Sequence, residues 1–221
     1  MTAVAQPAGA TLLVTGFDPF EGAPLNPSWE AARALHGLQI GGHRVVAGLL
    51  PTEFARALPA LQALLQAHQP QLVLCCGLAG GRSAISLERV AINLQDARIA
   101  DNAGARPIDE PVAPEADAPA AYFSSLPIKA MRRALQEAGI AAEVSQTAGT
   151  FVCNHVFYGL MHHLARRGPT GARGGFIHLP WLPGQGTPSM PLAQMVQGLQ
   201  VALACAVATP VDIREAAGAL N

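Results

Sequence analysis

The sequence predicts an α/β fold in which a largely parallel sheet is covered by helices on both faces. Two observations carry this expectation. Short apolar runs rich in β-branched residues alternate with helix-patterned stretches along most of the chain. The run 71–77 also lacks polar alternation, as expected of a strand buried on both faces. The chain has 221 residues and is 50% hydrophobic, enough for one sizeable core. Residues 11–221 are therefore expected to form a single domain, after an N-terminal extension, 1–10, expected to be disordered.

The elements follow in order. Thr11–Phe17 reads as a strand. Asn26 caps a helix whose first residue is Pro27, the favoured order at a helix start. Residues 44–50 form a second strand, and Thr52 is expected to cap a long helix with apolar positions at Phe54, Leu58, Leu61, Leu64 and Leu65. The strand 71–77 comes next, then the strand-like run 85–94. Residues 95–121 are polar and rich in Pro, Asp and Ala, a length without periodicity that in compact proteins is usually functional or mobile. Regular order returns with a helix over 127–138, a strand over 142–147, a helix over 151–166, a strand over 175–179 and a last helix over 189–208.

Charge excludes several classes. Charged residues make up 13% of the chain and the formal net charge is -1, which offers no footprint for nucleic acid or an anionic membrane. The arginine doublets Arg132-Arg133 and Arg166-Arg167 read as solvated faces late in helices. The apolar stretch 201–208 is far shorter than the roughly 20 residues of a membrane span. Residues 1–10 carry no positively charged leader pattern, so the expected location is the cytoplasm. The four cysteines, Cys75, Cys76, Cys153 and Cys205, include no CxxC pair and are expected to be free thiols.

In parallel sheets, sites gather at the carboxyl ends of strands. Cys153 stands there, at the start of a helix, where the dipole favours a thiolate. Cys75 and Cys76 fall within a buried strand, and Cys205 within an Ala/Val/Leu helix, so packing explains them. A thiol nucleophile commonly takes an imidazole as base, and His178, ending the strand 175–179, is the candidate. His155 falls on a different side of the helix from Cys153, and His162-His163 read as helix surface or packing. His36, His43 and His68 read as helix-end and loop residues. Glu88, a carboxylate among strand residues beside the glycine-rich run, could orient an imidazolium, but on its own it reads first as half of a surface ion pair with Arg89 or another residue. The glycine-rich run Gly77 to Arg82 matches neither GxGxxG nor GxxxxGK[ST], and no histidine or cysteine spacing suits a metal.

Five segments together resemble the pyroglutamyl peptidase I family, the pyrrolidone carboxyl peptidases. They are Thr15-Gly16-Phe17-Asp18-Pro19-Phe20 with Asn26-Pro27-Ser28-Trp29, the run Gly77 to Arg82, Glu88-Arg89-Val90-Ala91-Ile92-Asn93, Ala148-Gly149-Thr150-Phe151-Val152-Cys153-Asn154, and Phe176-Ile177-His178-Leu179-Pro180. Asp101-Asn102 and Pro107-Ile108-Asp109 extend the likeness. The resemblance implies a three-layer α/β/α sandwich with a mostly parallel, twisted central sheet. It implies a cysteine exopeptidase that removes N-terminal pyroglutamate through a thioacyl-enzyme, with a triad of Cys153, His178 and Glu88 and no cofactor. It carries substrate contacts to Phe17, Phe20, Asn26, Phe151 and Val152, and an oxyanion-side arginine to Arg98. Leu78 stands where some members have glutamine, and Asn26 keeps its alternative role as helix cap. A homo-oligomer, tetramer or dimer, is implied. The competing readings are a nucleoside phosphorylase-like enzyme on a related sheet and an inactive binding protein that kept the fold.

Overall fold

A computed structural model describes residues 10–168 and 171–218, so the N-terminal extension expected over 1–10 lies, but for Ala10, outside the described residues. In chain order the elements are β1 (Thr11–Phe17), α1 (Pro27–Ala34), β2 (Gln39–Ile40), β3 (His43–Leu50), α2 (Phe54–His68), β4 (Leu72–Leu78), β5 (Ile85–Glu88), β6 (Val90–Ile92), β7 (Ala121–Phe123), α3 (Ile128–Glu137), β8 (Ala142–Ser145), α4 (Val152–Arg166), β9 (Arg173–Leu179) and α5 (Leu192–Ala208). Seven strands form one sheet in the order β2-β3-β1-β4-β9-β5-β8. Neighbours run parallel except β2 against β3 and β5 against β9.

The layers follow from the two-residue period of strands. On one face Leu12, Val14, Leu72, Leu74, Ile177 and Leu179 pack against α1, α3 and α5 through Leu35, Met131, Leu135, Leu199 and Leu203. On the other, Leu13, Phe17, Val73, Cys75 and Phe176 pack against α2 and α4 through Leu61, Leu65, Val156, Phe157 and Leu160. The central strands β1, β4 and β9 are buried almost throughout, which is why their sequences show no polar alternation. The result is the expected three-layer α/β/α sandwich with a mostly parallel sheet.

Three expectations are corrected. The run 85–94 is two strands, not one. Arg89 is the corner: its N–H donates to Ser145 in continuation of the β5–β8 ladder, while its carbonyl accepts from Ser124 beside the small β6–β7 sheet. Thr52 does not cap α2. Its hydroxyl donates to the Asp18 carbonyl (3.0 Å), and the Phe54 N–H at the helix start is taken by Asp101 Oδ2 (2.8 Å). A carboxylate brought in from the long middle segment thus meets the positive end of α2. Arg132 is not on a solvated face but partly buried against Glu215 of the C-terminal tail, which the exposed Arg133 also reaches. That tail also caps α3, whose Lys129 and Ala130 N–H groups donate to Asp212.

The segment 95–121 is held by its own hydrogen bonds. Asn93 and Ala113 exchange two (2.9 and 2.8 Å), and Asp101 Oδ1 accepts from Ala103 and Ala105. Asn102 donates to the Pro19 carbonyl (2.9 Å), fastening the segment to the loop after β1.

Inside α4, His155 is 6% exposed and stands edge-on to Phe54, with no hydrogen-bond partner for either ring nitrogen among the described residues. Burial lowers its pKa from 6.5 to about 4, with the Phe54 backbone working the other way. Below pH 6.5 the unfolded chain therefore binds a proton that the folded one refuses, and stability falls as pH drops toward about 4. The expected outcome is that His155→Leu flattens this acid limb, measured by urea unfolding at neutral pH and at about pH 4. An unchanged acid limb would clear His155 of the effect.

Candidate active site

Side chains on the α2/α4 face of the sheet converge at the ends of β1, β4 and β9. The register sets Gly77 of β4 beside His178 of β9, with Ser86 of β5 opposite on the other flank. Because β5 runs antiparallel to β9, the chain passes from Ser86 to Glu88 back into the sheet. Glu88 is 0% exposed and accepts a hydrogen bond from His178 Nδ1 at 2.7 Å on Oε1. Nδ1 carries the proton in that bond, since a carboxylate only accepts, and Nε2 of the neutral ring is left with its lone pair. Arg82 Nη1 reaches the same Oε1 at 2.8 Å, and its Nη2 donates to the Thr147 carbonyl at 3.2 Å. The ion pair expected of Glu88 is thus made with Arg82, and burial corrects its placement at the surface.

Cys153 occupies the first turn of α4. The turn before it needs Gly149, whose φ of +76° is a left-handed conformation that side chains disfavour. Thr150 is pinned to Asp96, its hydroxyl donating at 2.7 Å and its carbonyl accepting at 3.0 Å. Asn154 is fully buried and anchors the helix to β6, accepting from the Ile92 N–H and donating to the Ile92 and Leu94 carbonyls. Phe151 precedes the helix and supplies no side-chain cap. The N–H groups of the first turn thus have no cap from that residue.

The sulfur and the imidazole both lie against Gly77. A methyl group on Gly77 would come within 2.7 Å of Cys153 Sγ and 3.1 Å of His178 Cδ2, so only glycine lets the two approach over β4. Cys153 keeps some exposed surface, yet it is packed tightly enough that burial pushes its thiol up to about 12. The Glu88 charge adds to the rise and Arg82 opposes it. Desolvation therefore opposes the thiolate that the helix start favours.

These groups open on a cleft of about 210 Å³. Phe17, Phe20, Phe151 and Val152 supply its apolar wall, and Asn26, Thr52, Leu78, Ala79 and Arg82 also line it. Phe20 and Phe151 stand 6.4 Å apart, and Phe54 backs Phe151 edge-on at 5.3 Å. Asn26 also caps α1, its Oδ1 accepting from the Ser28 N–H and its Nδ2 donating to the Asp18 carbonyl (3.0 Å each). Arg98, expected near the oxyanion, is exposed and does not line this cleft. Its neighbour Ala97 is buried and pairs with Pro107, which turns Arg98 outward. Arg82 is the arginine on the cleft wall, and its only sequence signal was its place in the glycine-rich run six residues before Glu88. No group of three metal-ligating side chains occurs among the described residues.

A sequence model of the pyroglutamyl peptidase family matches residues 10–209. The chain belongs to that family. It is 56% identical to a pyrrolidone-carboxylate peptidase of Cupriavidus taiwanensis, across 96% of this chain and 99% of that one. A Bacillus cereus pyrrolidone-carboxylate peptidase is 50% identical over the same shares. Among solved structures, pyroglutamyl peptidase I of Bacillus amyloliquefaciens superposes with a TM-score of 0.90 at 44% identity, covering 94% of this chain and 99% of that one. A variant pyrrolidone carboxyl peptidase of Pyrococcus furiosus gives 0.85 at 42% identity, covering 90% and 98%. Family membership sets aside the phosphorylase-like alternative.

Gly77→Ala tests the close approach directly. The added methyl should displace Cys153 or His178 and cut peptidase activity severely, for about 1–3 kcal/mol of stability. Wild-type turnover in a folded Gly77→Ala protein would contradict the geometry.

Proposed function

We propose that Cys153, His178 and Glu88 act as nucleophile, proton carrier and orienting acid in releasing pyroglutamate. The protein is a cysteine peptidase of the omega type that hydrolyses the N-terminal pyroglutamyl (5-oxoprolyl) bond of peptides through a thioacyl-enzyme. The observation that carries the role assignment is the buried Glu88–His178 contact, with Cys153 set across Gly77 from the ring.

In the acylation step Cys153 Sγ bonds to the pyroglutamyl carbonyl carbon while its proton passes to His178 Nε2. The oxyanion is received by N–H groups of the first turn of α4. His178 then gives the proton to the peptide nitrogen, and the carbon–nitrogen bond breaks. In deacylation a water loses its proton to Nε2 and bonds to the carbonyl carbon. The carbon–sulfur bond breaks and the sulfur recovers the proton. Glu88 stabilises the imidazolium at each stage.

The pocket suits a lactam. Phe17, Phe20, Phe151 and Val152 give a compact cyclic substrate apolar contact. An ordinary N-terminus would have to bring a charged ammonium into the same wall at a desolvation cost, which supplies selectivity. Asn26 combines its capping role with a place at the cleft rim, and Leu78 contributes from the end of β4. We further infer a cytoplasmic enzyme, a reading supported by four cysteines that are all unpaired, and a homo-oligomer, tetramer or dimer. Its partners are pyroglutamyl peptides, without a nucleic acid or membrane partner. Among the described residues no helix is long and apolar enough to cross a membrane.

Cys153→Ser should leave the fold intact and lower release from a pyroglutamyl-arylamide by at least about a thousandfold. Near-normal turnover would remove Cys153 from the mechanism. Because the thiol is held up to about 12, iodoacetamide labelling of Cys153 should keep accelerating as pH rises above neutral, and His178→Ala should slow it near neutrality. A rate that levels off below neutral pH would mean a preformed thiolate instead.

A further inference from the structure

We propose that Arg82 is a positioning residue for the reaction, fixing the Glu88 carboxylate beneath His178 and tying it to the loop that seats Cys153. The inference rests on the triad proposed above and adds a fourth member that acts through Glu88.

The geometry is a fork across three chain segments. Arg82 belongs to the turn between β4 and β5, and its Nη1 meets Glu88 Oε1 at 2.8 Å. Its Nη2 meets the Thr147 carbonyl at 3.2 Å, in the loop that leads from β8 into α4. A planar guanidinium can serve both acceptors at once, whereas an ammonium offers no fixed fork. His178 Nδ1 and Arg82 Nη1 share the one oxygen, while Glu88 Oε2 has no partner among the described residues. The carboxylate is thus held from one corner, and Arg82 decides which corner faces the imidazole.

Burial gives the contact its weight. The Glu88 side chain is 0% exposed and that of Arg82 is 27% exposed, so the carboxylate end of the pair is shielded from solvent. Removing the guanidinium leaves a buried anion with the imidazole as its only cationic partner. More of the His178 rings should then already carry a second proton at low pH and be unable to accept one from the thiol. The ionisable groups in this cluster are Glu88 from β5 on His178, Arg82 from the preceding turn on Glu88, and Cys153 from α4 across Gly77. Among them Arg82 is the cation.

The test compares Arg82→Gln, Arg82→Lys and Glu88→Gln on a pyroglutamyl-arylamide across pH, each checked for folding by circular dichroism. Arg82→Gln should lower kcat roughly tenfold to a hundredfold, as the loss of outer partners of reacting side chains does, with KM little changed. The acid limb of kcat/KM should move up by about one pH unit. Arg82→Lys should keep the limb near its wild-type position, because the charge remains, while kcat still falls. Guanidinium ion added to Arg82→Ala should restore part of the rate. Wild-type kcat with an unmoved limb in Arg82→Gln, or a change in KM alone, would overturn the proposal. If Arg82→Gln does not fold, wild-type kcat in Arg82→Lys overturns it and a reduced kcat with an unmoved limb supports it. Full activity in Glu88→Gln would instead sink the triad reading itself.

Discussion

A buried carboxylate governs this site. An isolated anion inside a protein is so costly that it must be met by charge and hydrogen bonds, and here Glu88 is met by His178 and Arg82 on a single oxygen. Much else serves that arrangement. The β4–β5 turn has to deliver an arginine, β9 has to end on a histidine, and β4 has to offer a glycine where the sulfur and the ring crowd together. The apolar wall then sits over an electrostatic pair that is already compensated, so the cleft can be mostly hydrocarbon without stranding a charge.

The same economy appears in the helix termini. The helix that carries Cys153 begins without a capping side chain, while α2 and α3 take their caps from carboxylates of remote segments, Asp101 and Asp212. Open donors at α4 are consistent with a helix start kept for a developing oxyanion. At the other two helices the distant caps fasten the middle segment and the C-terminal tail to the body of the fold.

What the sequence made legible was local. The buried central strands, the Asn26-Pro27 helix start and the helix seat of Cys153 all depend on neighbours within a few residues. Glu88 was not legible from pattern, because its burial comes from pairing with β9, some ninety positions away. Resemblance to a family supplied it instead. Arg82 and the Asp101 cap were missed for a similar reason, since each acquires its partner only when separate segments meet. For the thiol, helix position is visible in sequence while the desolvation that opposes it is not.

The reversed direction of β5 has one more consequence. A parallel strand would have carried its carboxyl end past the rim of the sheet and into water. Antiparallel pairing instead turns the chain downward after Ser86, so the acid lies behind the imidazole on the side away from the cleft mouth. Mobile ions that weaken exposed ion pairs have little access to such a contact. The topology thereby insulates the Glu88–His178 pair from the ionic strength of its surroundings.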